Sequence, residues 1–339
     1  MTGQIKKVCM IRFGGMGDIL LATPALRAVS ETFNTEAIDI IVGKRMGDAV
    51  TGIPYIRRVT EWDKAGADAN LPNFIRFLAE LRRERYDLFL NFQPGSRSIL
   101  MGLASGAKRV LTFTKDRRKQ RETGRVRHAI DDFTKELKPL GIETVTDRHM
   151  NFHVPEAARE SCADVRRAHG VAGRYIVVNP ASTRLVNRYP PERWAEVIDE
   201  LTRTLPGFAV VLSGAPNECE LANAVLQGVR PGANAVSLAG LLTVKELGAL
   251  LESADCVLTG DTGPLHIASA VGAPVVCLSG AADPDRTGPV SPRDLVVIRR
   301  DLPCVPCQDR VCRRSDIACM TGLPIEWVVN AATKRMEKL

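Results

Sequence analysis

Residues 256–280, CVLTGDTGPLHIASAVGAPVVCLSG, contain two apolar runs separated by a polar turn and a segment rich in small residues. The apolar runs predict strands at 256–259 and 275–278, and the segment 264–271 predicts a helix. Continuous apolar runs, such as AIDIIVG at 37–43, suit strands covered on both faces, as in a parallel sheet between helix layers. The stretch therefore predicts an α/β chain built on parallel sheets.

The same alternation continues through both halves of the chain. Further strands are predicted at 7–13, 38–43, 86–92, 109–113, 175–179 and 209–213. Further helices are predicted at 24–33, 72–85, 131–140, 191–205, 218–227 and 244–253. Two such halves predict two doubly wound domains. With a polar boundary near 156–173, the domains are expected at 1–165 and 166–323, and 324–339 as a terminal helix packing back toward the first domain.

The composition excludes several classes of protein. Of the 339 residues, 45% are hydrophobic, 25% charged and 5% aromatic, which suits a globular enzyme better than a base-stacking nucleic-acid binder. No apolar run approaches the length of about 18 residues that predicts a membrane span, and the first residues lack a secretory pattern. Nine cysteines without such a pattern predict a protein of the reducing cytoplasm. The net charge of +7 suits an acidic substrate, an anionic membrane or nucleic acid alike.

Polar residues crowd the turn inside the quoted stretch. The turn GDTGP, residues 260–264, ends in a proline that suits the first turn of a helix, and His266 lies in that same turn. The N–H groups at the start of a helix bind anions. The turn therefore predicts a phosphate or sugar-phosphate site; the alternative is that Asp261 or Thr262 only caps the helix and His266 only packs.

A second polar loop, ASTRLVNRYP, follows the strand predicted at 175–179. Ser182 and Thr183 supply hydroxyl groups, and the guanidinium groups of Arg184 and Arg188 suit contact with phosphate. Ligands of open α/β sheets bind at the carboxyl ends of the strands, so the strand exits are expected to line one site. The alternative for this loop is a solvated connection.

The first predicted strand leads into FGGMGDILL, residues 13–21. The glycines do not form G-x-G-x-x-G, and no acidic residue ends the second strand, which disfavours a nicotinamide-dependent dehydrogenase. Asp18 either caps the following helix or serves as a general base.

Together, GGMGDILLATPALRAV, NRYPPERWAEV, LSGAPNE and DTGPLHIASAVGAPVVCLSGAADPDRTGP resemble the ADP-heptose:lipopolysaccharide heptosyltransferases, glycosyltransferase family 9. The resemblance covers most of the chain. It implies the GT-B architecture, with two Rossmann-like doubly wound domains facing across a central cleft. The N-terminal domain would bind the acceptor, and the C-terminal domain would bind the nucleotide sugar. It also implies an inverting transfer of heptose from ADP-heptose to the inner core of lipopolysaccharide.

The resemblance assigns roles to particular residues. Asp18 matches the catalytic aspartate, and Arg188 stands where the family usually has a lysine that meets the charge of the leaving group. The other implied substrate-binding positions are Gly15 and Gly17 in the first loop, Ser182 and Thr183 at the diphosphate, Glu218 at the ribose, Leu242 at the adenine, and Asp261, Thr262, Gly263 and His266 at the sugar phosphate.

The resemblance implies no cofactor for catalysis. The expected partners are an ADP-heptose donor, an anionic lipid-linked saccharide acceptor and the inner-leaflet membrane surface, which a cytoplasmic enzyme would bind peripherally; nucleic acid is not expected. Two alternatives are a family 9 enzyme with another nucleotide sugar or a protein acceptor, and a non-catalytic sugar-nucleotide-binding protein.

Two features lie outside these motifs. Residues 114–128, TKDRRKQRETGRVRH, are strongly basic and are expected to bind an anionic acceptor or membrane, or to form a solvated loop. Cys304, Cys307, Cys312 and Cys319 have the spacing C-x2-C-x4-C-x6-C. This cluster predicts a structural zinc or iron site, with free thiols or a labile disulfide as the alternative.

Overall fold

The computed structural model describes residues 4–114, 124 and 126–336. The chain forms two compact units, Met1–His153 and Val154–Leu339. Each unit contains one sheet whose paired strands are all parallel. The predicted α/β class with two parallel-sheet domains is therefore confirmed.

The first unit is built on a five-stranded sheet. Its strands are β1 Lys7–Arg12, β2 Ala37–Gly43, β3 Ile56–Trp62, β4 Leu88–Asn91 and β5 Arg109–Thr112. Its α-helices are α1 Met16–Leu20, α2 Thr23–Phe33, α3 Leu71–Glu84, α4 Ser96–Ala104 and α5 Ala129–Thr134, with 3-10 helices at Gly47–Ala49, Ala67–Ala69 and Lys135–Leu140. The strand order is β3-β2-β1-β4-β5. Strands β2 and β4 are almost wholly buried, which accounts for their continuous apolar sequences.

The second unit is built on a six-stranded sheet. Its strands are β6 Tyr175–Asn179, β7 Ala209–Leu212, β8 Ala235–Ser237, β9 Cys256–Gly260, β10 Val275–Ser279 and β11 Leu295–Ile298. Its α-helices are α6 Glu156–Ala168, α7 Pro191–Thr204, α8 Cys219–Gly228, α9 Val244–Glu252, α10 Gly263–Ala270, α11 Pro284–Thr287, α12 Ala318–Thr321 and α13 Ile325–Met336, with 3-10 helices at Leu185–Asn187 and Pro216–Glu218. The strand order is β11-β10-β9-β6-β7-β8.

In each unit, the first strands of the chain extend the sheet on one side of its starting strand, and later strands extend it on the other side. β1 pairs with β2 on one side and with β4 on the other, and β6 likewise lies between β7 and β9. Ligands of open α/β sheets bind at the carboxyl ends of the strands beside such a switch point. The loops after β1 and β4, and those after β6 and β9, are therefore the places where each unit can build a site.

The sequence pattern does not predict β3, β8 or β11, and these three strands share a position. Each lies at an edge of its sheet and has half-exposed residues. An edge strand is covered on fewer sides than a central one, so it needs no continuous apolar run. These strands consequently lack the signal on which the prediction depends.

The boundary between the units lies earlier than expected. The polar stretch near 156–173 forms helix α6, which packs against α9, and Nε of Arg159 lies 2.7 Å from Oε2 of Glu252. The division along the chain therefore falls between His153 and Val154 rather than between residues 165 and 166. The terminal helix α13 packs on α7 and on β9, β10 and β11 of its own unit, and its expected packing toward the first domain stays a prediction. Its apolar face lies in the second unit's core, with Val328 and Ala332 fully buried.

Within the described ranges, the structure has no helix long and apolar enough to cross a membrane. Of the basic stretch 114–128, residues 115–123 and 125 lie outside the described residues.

A buried carboxylate ties β2 to its neighbours in the first unit. The side chain of Asp39 is 4% exposed; Nε of Arg57 donates to Oδ1 at 2.9 Å, and Arg58 and the Tyr86 hydroxyl donate to Oδ2 at 2.9 and 2.7 Å. Burial alone would raise the pKa of Asp39. The hydrogen bonds from Arg57 and Tyr86 and the charge of Arg58 outweigh burial and lower that pKa.

We expect Asp39→Asn to lower the free energy of unfolding by about 3 kcal/mol at pH 7, because it leaves two arginines facing a neutral side chain. This value is at the lower end of the stability losses caused by breaking a buried ion pair, because both arginines are partly exposed. The folded-state pKa of Asp39 lies below its unfolded value of about 3.9. The stabilisation is thus complete above that value and is lost as the pH falls through the folded pKa. Urea unfolding should show a smaller difference in the free energy of unfolding between wild type and Asp39→Asn at pH 3 than at pH 7. Glu36→Gln, which breaks an exposed pair with Lys6, is the control, and equal stability of Asp39→Asn and wild type at pH 7 would contradict the prediction.

Candidate active site

The turn after β9 is held by side-chain contacts inside the second unit. Oδ2 of Asp261 accepts a hydrogen bond from the Thr287 hydroxyl at 2.7 Å, and Oδ1 lies 3.6 Å from Nε2 of His266. His266 is buried, and its Nδ1 has no hydrogen-bond partner among the described residues. The carboxylate and the imidazole are therefore fixed together at the start of α10.

The start of α10 is not capped by a side chain. Thr262 is the N-cap residue, but its side chain makes no capping hydrogen bond, and its hydroxyl lies 3.4 Å from that of Thr259. Asp261 is engaged by Thr287 and His266 instead. Thr262 therefore occupies the N-cap position of the capping alternative, although no side chain makes the capping hydrogen bond, and the anion site stays a prediction. The partial positive charge of a helix start favours an anion at the N–H groups of this first turn.

The loop after β6 carries a half-buried guanidinium group. Nε of Arg188 donates to the carbonyl oxygen of Ser182 at 2.7 Å, and its terminal nitrogens make no hydrogen bond to the described part of the chain. Ser182 is buried, and its hydroxyl accepts from the backbone N–H of Arg184 at 3.3 Å. Thr183 and Arg184 are exposed. The loop thus fixes one side of the Arg188 guanidinium and leaves its two terminal nitrogens without a hydrogen-bond partner among the described residues.

Two contacts place this loop beside the turn after β9. The carbonyl oxygen of Asn187 lies against Gly260, where a Cβ would be 3.4 Å from it. The side-chain oxygen of Asn187 also accepts from the backbone N–H of Ala282 at 3.2 Å, in the loop after β10. Three neighbouring strand exits are therefore joined at the switch point of the second unit, as expected from the sheet order.

Glu218 and Leu242 lie on the next two loops, after β7 and β8. The backbone N–H of Gly240 donates to the carbonyl of Gly214 at 2.9 Å and so joins these loops. Oε2 of Glu218 accepts from the N–H of Ala215 at 2.8 Å, within its own turn. Both Glu218 and Leu242 are half-buried at the carboxyl edge of the sheet.

In the first unit, the loop after β1 places a carboxylate beside a cation. Oδ1 of Asp18 lies 3.0 Å from a terminal nitrogen of Arg12; the side chains are 41% and 11% exposed. The other terminal nitrogen of Arg12 donates to the carbonyl of Phe92, just after β4, at 2.6 Å, and the guanidinium lies 5.4 Å from the centre of the Phe133 ring. The N-cap residue of α1 is Gly15, so Asp18 does not cap this helix. Its carboxylate is oriented by Arg12 and is still open to solvent.

The glycines of this loop have different surroundings. A Cβ on Gly14 would lie 2.6 Å from Oδ2 of Asp18 and 2.8 Å from its Cβ, so only glycine leaves room for that side chain. Gly15 is exposed, with open space where a Cβ would stand. Gly17 is buried in α1.

Residues 74–318 match the sequence model of glycosyltransferase family 9 (heptosyltransferase). The match spans more than half of the chain. The chain belongs to glycosyltransferase family 9. It is therefore a glycosyltransferase of the heptosyltransferase type, and the resemblance drawn from the sequence motifs is confirmed.

Individual relatives agree with this membership. The chain is 26% identical over 280 residues to lipopolysaccharide heptosyltransferase 3 of Escherichia coli, covering 79% of this chain and 81% of that protein. Its fold is similar to that of a family 9 glycosyltransferase from Veillonella parvula, with a TM-score of 0.86, 19% identity and coverage of 100% and 99% of the two chains. It is also similar to the E. coli heptosyltransferase WaaC solved with ADP-2-deoxy-2-fluoro heptose, with a TM-score of 0.63, 19% identity and coverage of 98% and 99%.

Several polar residues near the family 9 motifs were not among the predicted site residues. Arg12, Asn187 and Thr287 hold the residues that the motifs single out. The sequence offered one signal for Thr287, its position in the quoted motif ADPDRTGP. Arg12 lies inside a predicted strand, where a charged residue gives no sign of its partner.

The loop after β10 also contains an Asp-Pro-Asp triplet. Oδ1 of Asp283 accepts from the backbone N–H of Asp285 at the start of α11, and Oδ2 accepts from the side-chain amide of Gln308 at 3.2 Å. Asp285 lies 3.7 Å from a terminal nitrogen of Arg300. The two carboxylates are thus engaged separately by neighbouring protein groups.

The four clustered cysteines line one cavity of the second unit, with a volume of about 270 Å³. Burial, and then the neighbouring thiols, raise the pKa of Cys319. All nine cysteines are free thiols. Within the described ranges, no group of three or more histidine, cysteine or acidic side chains is arranged to hold a metal ion. Cys304, Cys307, Cys312 and Cys319 thus share one cavity, but their side chains are not gathered around a common metal position, so the expected zinc or iron site stays a prediction beside its free-thiol and disulfide alternatives.

Proposed function

We propose that the protein transfers a heptose from an ADP-linked donor to a saccharide of the lipopolysaccharide inner core, with inversion at the anomeric carbon and no cofactor. The observation that carries this proposal is the switch point of the second unit. There the start of α10, the Thr262 hydroxyl and the free end of Arg188 come from adjoining strand exits. The WaaC structure bound to a fluorinated ADP-heptose supports an adenine-nucleotide donor.

The donor half of the reaction would use the second unit. Arg188 and the first turn of α10 supply positive charge where the diphosphate leaves, and Thr183 and Ser182 add hydroxyl donors on the same loop. Glu218 and Leu242 lie on the loops after β7 and β8, where we assign them to the ribose and the adenine. Asp261, with Gly263 and His266, would position the sugar phosphate at the start of α10.

The acceptor half of the reaction would use the first unit. Asp18, in the loop of Gly15 and Gly17, would take the proton of the acceptor hydroxyl as its oxygen attacks the anomeric carbon. The bond between that carbon and the phosphate oxygen breaks, and ADP leaves with the electron pair. One direct displacement inverts the anomeric centre. Arg12 would keep the Asp18 carboxylate in place during the attack.

The acceptor would be an anionic, lipid-linked saccharide, reached by a cytoplasmic enzyme that binds the inner membrane surface peripherally. The +7 net charge supports an anionic partner. Another nucleotide sugar or a protein acceptor is the alternative within family 9.

We expect Arg188→Ala to weaken ADP binding about 10- to 100-fold, because a charge-assisted hydrogen bond to phosphate is lost. Isothermal calorimetry with ADP and UDP on wild type and variant measures this. The control is Arg203→Ala, which removes an exposed arginine that pairs with Glu200 on α7. Preference for UDP would move the protein to another donor class, and binding of neither nucleotide by wild type would remove the proposed donor site.

A further inference from the structure

Large apolar side chains of the first unit are exposed mainly on two helices. Leu71 and Ile75 on α3 are 67% and 56% exposed, and Ile99, Leu100 and Leu103 on α4 are 44%, 46% and 67% exposed. Only one other large hydrophobic residue in the described part of this unit, Val126, is comparably exposed. Single exposed leucines need no explanation, whereas a set concentrated on two helices does.

Four of the five exposed apolar residues form one stripe on each helix. Leu71 and Ile75 are four residues apart on α3, and so are Ile99 and Leu103 on α4, so each pair lies on one side of its helix. The two helices pack against each other. We call the surface made by these five residues and the charged residues beside them the α3–α4 face.

The charges on the α3–α4 face are mostly positive. Arg76, Arg82 and Arg83 are exposed on α3, and Arg97 is exposed at the start of α4. The exposed Glu80 on α3 is a negative charge among these arginines. The other acid of these helices, Glu84, is held by ion pairs with Arg57 and Arg58 at 2.9 Å each. Apolar side chains within a basic surround suit a partner that is both apolar and anionic.

We infer that the α3–α4 face docks the protein on an anionic lipid surface. Leucine and isoleucine side chains would enter the boundary between headgroups and acyl chains, while the arginines contact lipid phosphates. A second copy of the chain fits less well, because a symmetric contact would set one arginine-rich face against another. The inference deepens the proposed function. It rests on that function in one respect, which is that a lipid-linked acceptor brings the enzyme to a membrane.

The test is co-sedimentation with vesicles of phosphatidylcholine alone and of phosphatidylcholine mixed with phosphatidylglycerol. We expect wild type to bind the anionic vesicles at least tenfold more tightly, with the difference shrinking at high salt. Leu71→Ser with Ile75→Ser, and separately Arg76→Glu with Arg83→Glu, should each lower binding to anionic vesicles at least tenfold. The matched control is Val296→Ser with Val311→Ser, two residues of the second unit that are 37% and 76% exposed; it should bind like wild type.

Failure of wild type to bind anionic vesicles, or an equal loss in the control, would overturn the inference. A fall in sedimentation mass in Leu71→Ser with Ile75→Ser would also overturn it, by assigning the face to a second copy of the chain. Transfer to a lipid-free acceptor saccharide, measured on the same proteins, separates this inference from the proposed function. We expect that transfer to stay unchanged in the face variants. If wild type binds the vesicles but transfers no sugar, the docking face stands and the proposed function fails.

Discussion

Replacing Asp18 with asparagine should lower kcat for heptose transfer about 10²- to 10⁴-fold, the range for loss of a general base. Asparagine keeps the size of the side chain and can still face Arg12, but it cannot accept the proton of the acceptor hydroxyl. The carboxylate is 41% exposed, and the Arg12 guanidinium keeps its hydrogen bond to the Phe92 carbonyl, so we expect a smaller loss of stability than in Asp39→Asn and a variant that still folds. ADP affinity should also stay unchanged, because the donor-binding residues that we assign belong to the second unit.

The measurement is a donor-consumption assay run with calorimetry on the same protein. Glu143→Gln, an exposed acid of the same unit, is the control and should keep full activity. Asp18→Asn with normal turnover would contradict the proposed mechanism. A wild type that binds ADP but transfers no sugar would instead favour the non-catalytic alternative.

Arg12→Gln should lower kcat about 100-fold while the KM for the donor changes little. Arg12 contacts Asp18 at 3.0 Å and the Phe92 carbonyl at 2.6 Å, so it fixes the carboxylate relative to the strand exits β1 and β4. A misplacement of a reacting group by about 1 Å costs a factor of this order. Because Arg12 acts through Asp18, it is a positioning residue, and a merely structural role would also disturb folding.

Two comparisons isolate this role. Arg12→Lys keeps the charge and should recover part of the lost kcat, although it loses the forked geometry of the guanidinium. The double variant Arg12→Gln with Asp18→Asn should be no slower than Asp18→Asn alone, since both changes remove one function. Additive losses in the double variant would show that Arg12 acts independently of Asp18.

The elements that could be predicted from sequence are those with an unambiguous pattern. The central strands, such as β2 and β6, are continuous apolar runs because helices cover both faces of the sheet. The helix α10 has Pro264 in its first turn, where a residue without an N–H leaves nothing unpaired. The loops that follow these strands were therefore located correctly, since strand ends fix where the loops begin.

What could not be predicted depends on contacts between distant residues. Asp18 and Arg12 are six residues apart, but their pairing requires the turn that Gly14 permits. Asp261 meets Thr287 only because β9 and β10 are neighbours in the sheet. The segment 156–168 reads as a linker because it is polar, and it becomes a helix because one narrow side packs on α9. Pairings of this kind are set by tertiary structure, which local sequence does not encode.

Each unit has its own switch point, with its own set of loops, and the chain passes between the units once, at His153 and Val154. Mutation and recombination can therefore change one unit of such a chain separately from the other. Under the proposed assignment, a mutation in a loop after β1 or β4 would alter acceptor recognition by the first unit and leave the hydrophobic core and the strand exits of the second in place. Recombination near this single junction would exchange one unit and keep the other. A lineage with this architecture could then diversify its acceptors while it conserves its donor.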